Sequence, residues 1–183
     1  MNTVFTDIRQ HSIVEPASLT SGVVFALPHS GRDYGVSFLN QSILNRRSIR
    51  SSEDAFLDKL IDGIEKYGAP TIIANAPRAF IDLNRSTDEL DPALISGIKN
   101  SIRNPRVSSG LGVIPRVVAH GKEIYRGKLS FEQAQSRIAY YWKPYHKDLS
   151  DLLKRAQSIY GQSLLIDLHS MPHEAVSTQS SFI

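Results

Sequence analysis

Four stretches of this chain are apolar in nearly unbroken runs rather than in alternation: Val23 to Leu27, Thr71 to Ala74, Ser163 to Leu168 and Ala79 to Leu83. Runs of this kind, rich in β-branched residues, suit strands covered on both faces. The first three are therefore read as buried strands, and the fourth as a further strand. Between the first two runs the period changes. Phe56, Leu57, Leu60, Ile61 and Ile64 recur at helical spacing, with Asp54, Asp58 and Asp62 as a polar stripe beside them. Ser52 suits the N-cap, Glu53 and Asp54 suit the positive end of the helix dipole, and Tyr67-Gly68-Ala69-Pro70 closes the element. A long helical pattern runs from Ser130 to about Tyr160; Pro144 must kink or interrupt it, and Gly161 ends it. Residues 86–129 are less regular. They suggest one helical turn or two over Asp91 to Lys99, and a loop over residues 108–117, where Gly110 and Gly112 give backbone freedom.

Strand, helix, strand, long helix, strand predicts an α/β fold, a three-layer α/β/α sandwich around a mostly parallel or mixed sheet. Ligands of such sheets bind at the carboxyl ends of the strands. His29 leaves the first strand in Pro28-His29-Ser30-Gly31, and His169 leaves the third in Ile166-Asp167-Leu168-His169-Ser170. Arg85 would stand at the end of the strand over 79–83. A single histidine after a strand is ordinarily a hydrogen-bonded turn residue. Two at equivalent strand ends point to a shared site.

Composition narrows the chemistry. The 183 residues suffice for one domain with a real core, and 41% apolar with 21% charged residues is the balance of a soluble globular protein. The formal charge of +3 is mild, and Arg46, Arg47 and Arg50 form the one basic cluster. A solvated face explains that cluster better than nucleic acid does. No apolar stretch is long enough to span a membrane, and the N-terminus has no signal-peptide core. A cytoplasmic protein with neither nucleic acid nor membrane as partner is expected. With no cysteine, any metal must be held by His, Asp or Glu.

A hydrolytic zinc needs three protein ligands and a water, and neutral imidazole is its commonest ligand. His29 and His169 are the leading candidates; His120, His146 and His173 remain in play, while His11 is expected to be an ordinary hydrogen-bonded residue. Asp167 is expected to face away from His169, reaching it only if the strand end twists. A third ligand should be a carboxylate, from Asp33, Glu53 or Asp54, although helix capping accounts for the last two without a metal. In Ala76-Pro77-Arg78 to Asn84-Arg85, the planar guanidinium forks suit an acidic substrate or an oxyanion, and salt bridges to Asp82, Asp88 or Asp91 are the plainer account.

Taken in order, Pro28–Gly31, Ser52–Gly63, Ala76–Arg85, Asp88–Pro92, Gly110–Val117, Tyr141–Leu149 and Ile166–Pro172 resemble the N-formylglutamate amidohydrolase family. The resemblance covers residues 23–172. It implies a hydrolase with one zinc ion, related to metallocarboxypeptidases and aspartoacylases. Such enzymes release formate from N-formyl-L-glutamate, giving glutamate in histidine breakdown. His29 and His169 match the two histidine ligands. The His-x-x-Glu spacing of carboxypeptidases carries Arg32 here, so the peptidoglycan-amidase pattern is followed instead. That makes Asp54 the middle ligand, before Glu53 and Asp33. Arg78 would be the catalytic oxyanion stabiliser, and Asn84 with Arg85 would bind a carboxylate of the small acidic N-acyl amino acid. Relatives run on past His-Ser-Met-Pro, where the catalytic glutamate lies; Glu174 does not match it. The expectation is a single domain over residues 1–183 lacking the family's C-terminal portion, with an exposed sheet edge that invites homo-oligomers. Two other readings stay open. One is an amidase or deacylase for another acyl group. The other is a non-catalytic domain that binds a metal or a carboxylate.

Overall fold

Three of the four apolar runs become adjoining strands of one sheet. In chain order the computed structural model contains β1 (His11–Val14), β2 (Val23–Leu27), α1 (Val36–Gln41), α2 (Arg46–Ile49), α3 (Leu57–Leu60), β3 (Thr71–Ala74), α4 (Pro105–Ser108), β4 (Val117–Val118), β5 (Lys122–Glu123), α5 (Phe131–Arg137), α6 (Lys143–Tyr160) and β6 (Leu164–Asp167). It describes residues 7–98 and 104–171. The main sheet has the order β1-β3-β2-β6. β2 is parallel to both β3 and β6, and β1 runs antiparallel on the far edge. The chain is thus mixed α/β with a mostly parallel sheet.

Register explains how the two strand-end histidines meet. Ala26 lies opposite both Ile72 and Asp167, and the Leu168 amide donates to the Ala26 carbonyl at 2.9 Å. The carboxyl ends of β2 and β6 therefore finish nearly level. Val24, Ala26 and Ile72 are fully buried, whereas β6, the outer strand, leaves Leu164 and Leu165 exposed.

The long C-terminal helical pattern is real but contains a wide turn. Ser130 caps α5 with a full capping box, its hydroxyl accepting from the Gln133 amide. Residues Ile138–Trp142 then form a π-helical turn before α6 begins, with Pro144 in the first turn of α6. Pro144 has no N–H for the Tyr140 carbonyl, and that carbonyl accepts from Gln10 Nε2 at 2.6 Å instead. Gly161, at φ 74°, closes α6 as expected.

Two predicted elements are corrected. Residues 79–83 are buried, yet they form turns rather than a strand, with the Phe80 and Ile81 amides donating to the Pro77 carbonyl. The helix expected from Ser52 to Tyr67 is broken into short pieces. Glu53 is extended, Phe56 stands at φ 65° and Gly63 at φ 85°. Neither Glu53 nor Asp54 caps a helix. The Asp54 amide instead donates to the His29 carbonyl at 3.1 Å, which ties this segment to the end of β2.

On α5, Arg137 is fully buried. Its guanidinium lies 4.1 Å from the centre of the Phe80 ring and donates to the Phe80 carbonyl, Tyr125 Oη and Gln41 Oε1. This cation closes the core under the 79–85 segment, which carries much of the candidate site. No helix among the described residues is long and apolar enough to cross a membrane.

Candidate metal centre

His29 leaves β2 in a loop that only glycine permits. A Cβ on Gly31 would stand 2.1 Å from the Ala76 carbonyl oxygen, so the loop packs directly on the backbone at 75–77. The Asp33 amide donates across the same contact to the Asn75 carbonyl. His29 is held down as a result, 3% exposed. Its ring centre lies 4.9 Å from that of His169.

Asp54 comes between the two rings. Its Oδ2 is 2.8 Å from His169 Nδ1 and 3.6 Å from His29 Nδ1. The three donor atoms, two imidazole nitrogens and one carboxylate oxygen, all lie within 4.8 Å of one another. His29 Nδ1 is buried and has no hydrogen-bond partner. A buried ring nitrogen left unpaired, facing a carboxylate and a second imidazole, suits a borderline cation of the zinc type.

Both histidines are anchored from behind. His29 Nε2 lies 2.7 Å from Asp82 Oδ1, and His169 Nε2 lies 3.1 Å from Asp167 Oδ2. A carboxylate on one ring nitrogen fixes the orientation and tautomer of the other. Asp167 had been expected on the opposite face from His169. Residues two apart in an extended chain share a face, and the structure follows that rule.

Electrostatics follow the same contacts. Burial alone would raise the Asp82 carboxyl, but the His29 hydrogen bond, Arg78 and the Asn84 amide outweigh it and hold the group down to about 2. Burial likewise opposes ionisation of Asp54, and the neighbouring His29 and His169 rings prevail, leaving it below the usual carboxylate range. Burial works against a charged His29, yet the nearby Asp54 carboxylate and the bond to Asp82 raise its pKa overall.

The other candidates are distributed as follows. Arg78 Nε donates to Asp82 Oδ2 at 3.0 Å, and its NH1 lies 3.9 Å from Asp54 Oδ1. Asn84 Nδ2 approaches His169 Nε2 at 3.2 Å. Arg85 stands 4.0 Å from Asp82 and 3.9 Å from Glu89, with a buried Nε that makes no hydrogen bond. Glu53 is turned to Arg50, which grips it through two nitrogens, and Asp33 is held by Arg9. Arg32 pairs with Asp58. Neither Glu53 nor Asp33 reaches the histidines. His11 bonds Asp148 at 2.8 Å. His146 bonds the Leu83 carbonyl, so it too lies outside the cluster; His173 and Glu174 lie outside the described residues.

A cleft of about 570 Å³ opens beside the cluster, lined by Asp54 but not by His29 or His169. Asp54, Arg78 and Asp82 form its polar floor, and Leu111, Pro115 and Val117 an apolar wall. His120, at φ 60°, lies on its rim. Asn84 and Arg85 do not line it.

Asp82 is the residue that sequence reasoning undervalued, treating it only as a salt-bridge partner. Its signal was present: a carboxylate inside the apolar run Ala79-Phe80-Ile81-Asp82-Leu83 must be partnered if that run is buried.

Fold and cluster together define a mixed α/β domain in which two strand-end histidines and Asp54 form a group that could hold a metal ion. Residues 21–181 match the family N-formylglutamate amidohydrolase, and the chain belongs to that family. The N-formylglutamate deformylases of Pseudomonas aeruginosa and Pseudomonas putida are each 26% identical to it over 151 residues, 81% of this chain. Those stretches are 52% and 51% of the relatives, so the chain spans about half the length of the curated relatives it matches. The crystal structure of N-formylglutamate amidohydrolase from Ralstonia eutropha JMP134 is similar at TM-score 0.85 and 29% identity, over 93% of this chain and 61% of that one. A gene product of Agrobacterium tumefaciens shares the fold at TM-score 0.64 and 13% identity, over 93% of this chain and 60% of that one.

Proposed function

We propose that this chain is a zinc-dependent amidohydrolase that releases formate from N-formyl-L-glutamate or a close acidic N-acyl amino acid. The observation that carries the proposal is the buried, unpaired His29 Nδ1 facing Asp54 and His169. His29, Asp54 and His169 would hold one zinc ion. When bound, the ion supplies Lewis acidity, which acidifies a water and polarises a carbonyl.

The remaining roles belong to the protein. Arg78 lines the cleft beside Asp54 and would stabilise negative charge developing on the substrate carbonyl oxygen. Asn84 and Arg85 would grip a substrate carboxylate and so orient the amide. Asp82 and Asp167 keep the Nε2 protons of the two histidines, leaving both Nδ1 lone pairs turned inward. With the proton on His169 Nε2 directed to Asp167, the Asn84 amide has no acceptor on that ring and is available to substrate.

The same proposal makes the sheet the middle of three α/β/α layers and sets the reaction in cytoplasmic histidine breakdown. The test is formate release from N-formyl-L-glutamate by zinc-loaded protein, run beside N-acetyl and N-succinyl amino acids. Zinc content of wild type, His29→Ala and His169→Ala is measured in parallel. Turnover of formylglutamate with zinc lost in both variants is expected. Turnover of a non-formyl substrate alone would replace the acyl specificity, and bound zinc without any turnover would mark a binding domain.

A further inference from the structure

The segment that carries Asp82, Asn84 and Arg85 has no strand ladder to hold it. Its backbone polar groups must therefore find partners elsewhere. The Asn84 amide donates to Asp82 Oδ1 at 2.9 Å. The carbonyls on either side of Asn84 go to one helix. Trp142 Nε1 donates to the Arg85 carbonyl at 2.8 Å, and His146 Nε2 donates to the Leu83 carbonyl at 2.8 Å. A carbonyl can only accept, so the His146 proton sits on Nε2.

The two donors brace each other. Trp142 and His146 are four residues apart and share a helix face, with ring centres 3.8 Å apart and planes inclined by 31°. An indole and an imidazole in contact lose little further rotamer freedom on binding their carbonyls. They ride on the junction of the π turn and α6, an 18-residue helix, which is a stiffer mount than the loop they hold.

We propose that Trp142 and His146 are positioning residues that set the substrate-carboxylate grip by pinning the carbonyls on both sides of Asn84. The inference rests on the assignment of Asn84 and Arg85 to substrate binding. Neither ring touches substrate; each acts through the backbone of the 83–85 segment. The indole N–H governs the placement of Arg85, and the imidazole N–H that of Asn84.

The test uses N-formyl-L-glutamate affinity by calorimetry on the zinc-loaded full chain, with turnover recorded separately. Trp142→Phe keeps a ring against His146 and removes the donor. Its dissociation constant should rise on the order of tenfold, with zinc content unchanged. In an Arg85→Ala background the same substitution should add almost nothing, because the group it places is gone. His146→Phe should weaken binding similarly, and His146→Gln, whose amide N–H has comparable reach, should restore most of it. A Trp142→Phe penalty that persists undiminished without Arg85 would show a general structural role and overturn the inference. So would unchanged affinity in both donor-deleting variants. Wild-type binding without turnover would sink the proposed reaction and leave this inference standing. No binding by the wild type would sink both.

Discussion

His29 Nε2 and Asp82 Oδ1 lie 2.7 Å apart, and both residues are sealed from solvent. Asp82 also takes the Arg78 guanidinium on its other oxygen and the Asn84 amide on the same one. One carboxylate thus fixes the His29 ring, a cleft-lining arginine and the start of the 83–85 segment. Replacing it with asparagine keeps the shape and removes the charge. Asp82→Asn is expected to weaken zinc binding about 10- to 100-fold, read by competition against a chelator. Unchanged affinity would remove Asp82 from the support of the centre.

The same residue predicts a pH dependence in metal-free protein. An aspartate in the unfolded chain titrates near ~3.9, and the folded Asp82 near about 2. Lowering in the folded state means the stabilisation is complete above pH ~4 and is lost as pH falls through about 2. Urea denaturation of wild type and Asp82→Asn should show a stability gap at neutral pH that narrows in strong acid. A gap of equal size at both ends would contradict the linkage.

Arg78 should separate binding from catalysis. A group that stabilises charge arising only during reaction affects kcat more than KM. Arg78→Ala is expected to lower kcat by roughly 10²- to 10³-fold, with KM changed far less. Steady-state kinetics with N-formyl-L-glutamate decide this. A change confined to KM would make Arg78 a substrate-binding residue instead.

Gly31 tests the loop that carries His29. A methyl group there would collide with the Ala76 carbonyl oxygen, a backbone atom that cannot swing aside. Gly31→Ala should cost about 2 kcal/mol or more in folding stability, measured by urea unfolding, and should reduce zinc uptake. Wild-type stability in this variant would show that the 75–77 backbone gives way freely.

Legibility in the sequence followed how each element is stabilised. β2, β3 and β6 were readable because each is a short continuous apolar run, and for β2 and β3 that run matches strands flanked on both sides and buried. The Ser130 cap and Gly161 stop were readable because they are local chemistry. Ala79 to Leu83 has the same apolar character as a strand, but Arg137 and His146 take the Phe80 and Leu83 carbonyls, and one-dimensional periodicity carries no sign of them. The Ser52 to Ile64 pattern misled for a related reason. Binding of the Asp54 amide to the His29 carbonyl keeps residue 54 out of a helix, a contact between residues 25 apart in the chain. At the centre, His29, Asp54 and His169 could be named from strand ends and family likeness, while their supports could not. Asp82, Trp142 and His146 act across 53 to 63 residues of sequence.

The wide turn at Ile138–Trp142 sets an angular phase. Each residue of a helix advances it by about 100°, so a single-residue deletion within that turn would rotate α6 by that amount against α5. That rotation would turn the imidazole away from the Leu83 carbonyl and lift Tyr145, Leu152 and Ala156, the buried face of α6, off the core. The width of this one turn thus ties the aim of a side chain to the seating of a whole helix.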